Sequence, residues 1–217
     1  MKGRRLVQRL IEQGEHEQQD FKFAISDARK IARSVSAFAN NSGGSLLIGV
    51  KDNGFIAGVR NEEDIYVVEQ AAEMCCEPPQ HIAFEAFNCG TGVVVIRATV
   101  PRATERPVRV REAGGRLRAY YRVADENIAA HPLMVRAWML NSEAVASDKP
   151  LLLDGFAQEI LAAVRDADEP VDPAQLPILI HRSVAATTDV AAQLLALGLI
   201  SFTFHTPSHS FRLVPAE

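Results

Sequence analysis

Residues 28 to 50, ARKIARSVSAFANNSGGSLLIGV, set the strongest limit on what this chain can fold into. Ile31, Val35 and Phe38 recur at helical spacing, with Ala28, Ala32 and Ala39 filling the same side, so residues 28–40 predict an amphipathic helix with Ser26 or Asp27 as its N-cap. Asn40, Asn41 and Ser42 exhaust that pattern. Gly43-Gly44 then supplies the positive-φ residues that end a helix and turn the chain back. The run SLLIGV, residues 45–50, is apolar throughout and of strand length, which predicts a buried strand. Asn53-Gly54 predicts a tight turn, with residues 55–59 returning as a second strand. Because the glycine pair follows a helix C-terminus, where the macrodipole is negative, it has the wrong polarity for a phosphate cradle. The chain contains neither GxxxxGK[ST] nor GxGxxG.

Upstream, Leu6, Val7, Leu10 and Ile11 predict a short helix over residues 4–13, stopped at Gly14, which leaves Glu15 just beyond its end. From Gln19 to Phe23 the pattern is that of a strand, with Phe21 and Phe23 on one face and Asp20 and Lys22 on the other. Residues 62–77 predict a helix ended by Pro78-Pro79, and residues 82–100 predict two strands about a CGTG turn. The chain has 47% hydrophobic and 23% charged residues, an ordinary soluble composition. No run approaches the length of a membrane span, and no signal peptide is predicted. The three cysteines fit neither a disulfide framework nor a CxxC metal site, so a cytoplasmic setting is expected.

The ordered set Glu15, Asp20-Phe21-Lys22, Ala37-Phe38-Ala39-Asn40, Gly43-Gly44, Ile48-Gly49-Val50, Asp52 and Gly58 resembles the Schlafen AlbA_2 family. The likeness covers roughly the first 125 to 140 residues. It implies a mixed α/β sandwich that serves in bacteria as a DNA-binding or transcriptional-regulator module, and in the animal Schlafen proteins as a metal-dependent ribonuclease. In those ribonucleases three carboxylates hold Mg²⁺ or Mn²⁺, and the resemblance carries the role to Glu15, Asp20 and Asp52, with Lys22 steadying the phosphate. Asp20 departs from the pattern: the ribonuclease members have a glutamate there, one methylene longer. Longer relatives carry an ATP-binding-like region between this module and their C-terminal part. The linker here leaves no room for it, and ATP is not expected.

The segment 102–122 holds seven arginines against two glutamates. It predicts a hairpin about Gly114-Gly115. Arg102, Arg106, Arg109, Arg111, Arg116, Arg118, Tyr120 and Arg122 are the candidate nucleic-acid contacts, since arginines interleaved with tyrosine suit phosphate contact and base stacking. The same residues equally suit a solvated sheet face paired with the acidic remainder of the chain. Residues 132–140 predict a helix apolar nearly all round, buried in the core or in a homodimer around Trp138. Residues 142–150 read as a linker, which divides the chain into an AlbA_2-like domain (1–141) and a second domain (151–217).

The second domain reads as three helices followed by a hairpin: a first helix around Phe156 to Val164, a short one opened by Asp172-Pro173, and a third capped by Thr187 or Thr188. That order resembles a winged helix-turn-helix, so the expected class is α+β with a smaller winged-helix-like domain. Residues 151–217 contain three basic and eight acidic residues, whereas the first 150 contain twenty and nineteen. A domain so acidic is a poor duplex binder, because phosphate neutralisation dominates nucleic-acid affinity. The leading expectation is therefore a nucleic-acid-binding transcriptional regulator that contacts phosphates through the arginine hairpin, with DNA expected ahead of RNA. The alternatives are a divalent-metal nuclease using Glu15, Asp20 and Asp52, and a protein-interaction scaffold.

Overall fold

The computed structural model describes residues 2–23, 25–59, 63–147, 154–205 and 210–216. By contact the chain divides into two units, Met1–Ala129 and Ala130–Glu217. The first unit runs α1 (Lys2–Glu12), β1 (Gln19–Lys22), α2 (Ala28–Asn40), β2 (Gly44–Ile48), α3 (Glu63–Met74), β3 (Cys76–Glu77), β4 (Ala83–Gly90), β5 (Val93–Val100), β6 (Arg109–Arg111), β7 (Leu117–Val123) and β8 (Glu126–Ala129). Its strands form two four-stranded sheets, ordered β1-β2-β5-β4 and β3-β6-β7-β8. Among the described residues only the β1–β2 pair is parallel, and α2 is the crossover that such a pair requires.

Leu46, Leu47 and Ile48 of β2 form an unbroken apolar run because both faces of the strand are covered. Leu46 and Ile48 join Ile31, Val35 and Phe38 of α2 in the main core, while Leu47 packs with Val7, Phe21, Phe87 and Val95 on the other side. The predicted return strand at 55–59 is not a sheet strand. The neighbours of β2 are β1 and β5, and the return is reduced to one bridge, Val50 to Ile56. The predicted 62–77 helix ends at Met74, and Cys76 leaves it to pair with Val110.

Helix α2 begins where Asp27 caps it, its Oδ1 accepting from the backbone N–H of Arg29 and Lys30. From Ile31 to Asn40 every residue except Arg33 is buried. The polar positions that would make it amphipathic are used internally. Ser36 Oγ donates to Val108 O (2.8 Å) and accepts from Tyr120 N (3.1 Å). Asn40 Nδ2 donates to Val108 O and to Tyr120 O (both 2.9 Å), and its Oδ1 accepts from Val108 N (2.8 Å). The helix thus continues the β6–β7 ladder with side chains, just beyond its last pair, Arg109 with Ala119. Gly43 closes the helix at φ +78°, donating its N–H to Phe38 O. Gly44 has a second reason to be glycine: a Cβ there would lie 2.4 Å from the Phe38 ring.

The second unit comprises α4 (Pro132–Ser147), α5 (Gly155–Arg165), α6 (Leu176–Leu179), α7 (Val184–Ala196) and a hairpin of β9 (Ile200–His205) with β10 (Ser210–Pro215). Ile160, Val164, Leu176, Leu194, Ile200 and Leu213 form its core, joined by Leu133 of α4. The helix assigned to the first domain from sequence therefore contributes to the second core, and residues 142–147 of the expected linker are helical. The linker residues 148–150 and the hairpin turn 206–209 lie outside the described residues. Trp138 is buried, which removes it as a homodimer face. Helix α7 starts earlier than expected, because Ser183 and not Thr187 or Thr188 is its cap: Ser183 Oγ accepts from Ala186 N, while Thr187 Oγ1 donates to Ser183 O.

Replacing Asn40 by leucine strands the Val108 N–H in the core and takes a donor from the Tyr120 carbonyl, leaving Val108 O to Ser36 alone. The expected cost is about 2–4 kcal/mol in urea unfolding, with the loss concentrated on protection of the β6–β7 amides in hydrogen exchange.

Candidate nucleic-acid interface

The parallel strand β1 carries the charged centre of the first unit. Its alternation sends Phe21 to the core under α1 and Asp20 to the opposite face, towards α2. Gln19, also buried, closes α1 by donating from Nε2 to Leu10 O and Gly14 O (both 2.7 Å). Asp20 is buried among polar partners. Lys22 Nζ lies 2.8 Å from its Oδ2, Ser34 Oγ donates to the same oxygen at 3.3 Å, and Arg122 Nη2 stands 3.6 Å from Oδ1.

Arg122 is 1% exposed, and each of its nitrogens has an acceptor. Nε donates to His16 O (3.2 Å), Nη1 to Asn127 Oδ1 (2.9 Å) and Nη2 to Gln19 O (3.2 Å), while the guanidinium lies 5.1 Å from the Phe38 ring centroid. Asn127 donates in turn to Ser34 Oγ (2.9 Å). Glu15 completes the group: its Oε1 accepts from Phe21 N (2.8 Å), and its carboxyl hydrogen-bonds Asp20. Burial, then the bond to Asp20, pushes Glu15 up to about 7. Burial alone would raise Asp20 as well, but the bond from Glu15 and the charges of Lys22 and Arg122 hold it below the usual carboxylate range. Below about pH 7 the pair therefore keeps one proton, on Glu15.

The ligand set implied by the family resemblance does not fit this arrangement. Asp52 lies exposed in the turn after β2, and among the described residues no three His, Cys, Asp or Glu side chains are grouped to hold a metal ion. Both Asp20 oxygens already face cations or a hydroxyl donor, and below about pH 7 a metal would have to displace the Glu15 proton.

The arginine hairpin forms about Gly114-Gly115 as expected, but two of its candidate contacts face inward. Tyr120 and Arg122 share a face of β7 with α2 beneath it, and both are buried. The Tyr120 hydroxyl bonds Glu112, whose carboxylate also pairs with Arg33 in a bidentate contact at 2.8–2.9 Å. Arg106 and Arg109 are half-buried, with Arg106 Nη1 donating to Asn40 O. Arg111 is exposed and paired with Glu77 at 2.6 Å. Arg102, Arg116 and Arg118 are exposed.

Two contributors escaped the sequence reading. Lys30 and Arg33, on the first turns of α2, join Lys22 and Arg122 in lining a cleft of about 410 Å³, together with Asp125 and Glu126. Their spacing of three, outside the Ile31–Val35–Phe38 stripe, was the available signal.

A two-sheet α+β unit with a cleft lined by both cations and carboxylates at the end of its parallel strand pair is the class of domain these elements define. The profile of the Schlafen, AlbA_2 family matches residues 15–131, more than half of the chain, and the chain belongs to that family. Membership points to nucleic-acid binding. No curated protein matches. Among solved structures, the chain is similar to the DIP2311 protein of Corynebacterium diphtheriae, with 19% identity and a TM-score of 0.41; the match covers 73% of this chain but only 30% of that one. Among the described residues, no helix is long and apolar enough to cross a membrane.

Two outcomes test the charged centre. Arg122→Met leaves Asp20 without its buried cation and is expected to cost about 3–5 kcal/mol in chemical unfolding. The raised Glu15 means that the folded state binds more protons than the unfolded chain between about pH 4.5 and 7. Stability from this group is thus complete below pH 4.5 and falls as pH rises to about 7. Glu15→Gln, which mimics the protonated form, should flatten that decline, a difference on the order of 1 kcal/mol after discounting for partial exposure.

Proposed function

We propose that this chain is a nucleic-acid-binding regulator and that its AlbA_2 unit meets phosphates with the cations around the cleft. The observation that carries the reading is the convergence of Lys22 from β1 with Lys30 and Arg33 from α2 on one cleft. Arg118 extends that set onto the hairpin, since it lies near enough to Glu112 and Tyr120 to bias both. Lys22 shares Asp20 with Arg122 and Arg33 is paired with Glu112, so the readiest phosphate contacts of the set are Lys30 and Arg118, both exposed. Such a surface tracks a sugar–phosphate backbone and carries no base code of its own.

The second unit takes a different part in this reading. Its order of α5, a single bridge from Val171 to Leu213, α6, α7 and the β9–β10 hairpin supports a winged-helix-like module. Its charges do not suit a duplex. Arg136, Arg165, Arg182 and Arg212 each stand beside a carboxylate, and Ile178, Leu179 and Val184 are exposed around the start of α7. A unit with its cations neutralised and apolar side chains exposed favours contact with protein over contact with phosphate.

Binding should be salt-dependent without turnover. In anisotropy titrations with a labelled duplex, Lys30→Ala with Arg118→Ala is expected to weaken binding about ten-fold or more near 0.1 M salt and to flatten the log K against log salt slope by about two. An unchanged slope, or Mn²⁺-dependent cleavage of the probe, would overturn the reading.

A further inference from the structure

The turn that links β2 to the rest of the sheet carries a feature that phosphate contact does not use. Phe55 is 60% exposed at the tip of residues 51–55. The tip is fixed in place. Gly54, at φ +79°, donates to Lys51 O (2.7 Å), Lys51 N donates to Phe55 O (3.0 Å), and Phe55 N donates to Asn53 Oδ1 (3.0 Å). The tip also rests on α1, since a Cβ on Gly54 would lie 2.8 Å from Ile11 Cγ2. Lys51 Nζ stands over two rings, 4.9 Å from the Phe23 centroid and 5.5 Å from that of Phe55.

We propose that Phe55, with Lys51 and Phe23 behind it, is a stacking platform for an unpaired nucleobase, so that the preferred ligand is single-stranded nucleic acid. The inference rests on the nucleic-acid reading of the same unit and extends it from backbone contact to the state of the strand. A held, exposed ring offers a π-face that any base can cover, whereas the bases of a duplex already cover each other. Lys51 beside the ring and Lys22, one residue before Phe23, supply charge for the adjoining phosphates. Scattered exposed apolar residues are ordinary. Phe55 differs in sitting on a hydrogen-bonded tip beside an ammonium group that also lies over a second ring.

The test uses the full chain with fluorescein-labelled oligothymidylate and a blunt duplex at one salt concentration. The expected result is a preference for the single strand, and a loss of about ten- to hundred-fold in that affinity alone for Phe55→Ala. Its thermal midpoint should stay that of the parent, because the ring is exposed. Phe55→Trp should retain binding and show indole quenching as the single strand is added. If the parent binds both probes and Phe55→Ala changes neither affinity, the platform is wrong while the phosphate-binding reading stands. If the parent binds neither probe, the nucleic-acid reading fails, and the platform fails with it.

Discussion

A guanidinium withdrawn from water must find an acceptor for every donor, and the burial of Arg122 imposes that demand at the junction of the two sheets. The side chain leaves β7, crosses the Phe38 ring, and is satisfied by carbonyls of His16 and Gln19 on the β1 side and by Asn127 on β8. Its acceptors come from segments far apart in sequence, so none can shift without exposing the others. The backbone of the same residue is held by Asn41, at the end of α2, through both its N–H and its carbonyl. One residue thereby ties both sheets to the helix between β1 and β2.

That tie decides the chemistry available next to it. Asp20 faces Arg122, Lys22 and Ser34, an environment that favours its charged form, while burial and the bond to Asp20 outweigh the Phe21 amide and the Lys22 charge at Glu15, which keeps its proton below about pH 7. Two carboxyls in contact with one proton between them form a hydrogen-bonded brace, an arrangement that resists insertion of a divalent cation, since both oxygens would first need to be released. The exposed turn position of Asp52 completes the contrast with a three-carboxylate metal centre. The surrounding cations remain, and these suit a ligand that brings its own negative charge.

The first fifty residues were legible because local rules agree there with tertiary packing. Asp27 caps, Gly43 turns, and the apolar run of β2 announces burial on both faces. Legibility ended where a polar residue is buried for its bonds. Ser34, Ser36 and Asn40 look like the wet side of an amphipathic helix, yet Ser34 bonds Asp20 of β1 and Asn127 of β8 while Ser36 and Asn40 bond the backbone at β6 and β7, and nothing in spacing separates the two cases. Two of the hairpin candidates, Tyr120 and Arg122, turn inward for a related reason. Period-two alternation does group Arg118, Tyr120 and Arg122 on one face, but which face meets a helix depends on α2, some eighty residues earlier. Chain parity alone cannot say which of two polar faces is the inner one. In the second unit, Thr187 and Thr188 were acceptable caps by type, and Ser183 won because the helix begins a turn sooner.

Topology accounts for why the exposed ring and the cations share one end of the unit. Because β1 and β2 run parallel, the residues that leave β1 and the turn that leaves β2 emerge at the same edge of the sheet, as the bond from Gly49 N to Lys22 O records. Lys22 and Phe23 come from the first exit, and Lys51 and Phe55 from the second. Helix α2 must then start near the end of β1, which brings Lys30 and Arg33 to the same cleft as Lys22. An antiparallel pair would have sent these exits to opposite ends. The crossover connection, fixed by an apolar helix and a glycine pair, is therefore what brings these charged and aromatic residues to one end of the sheet, the placement that the proposed phosphate and base contacts require.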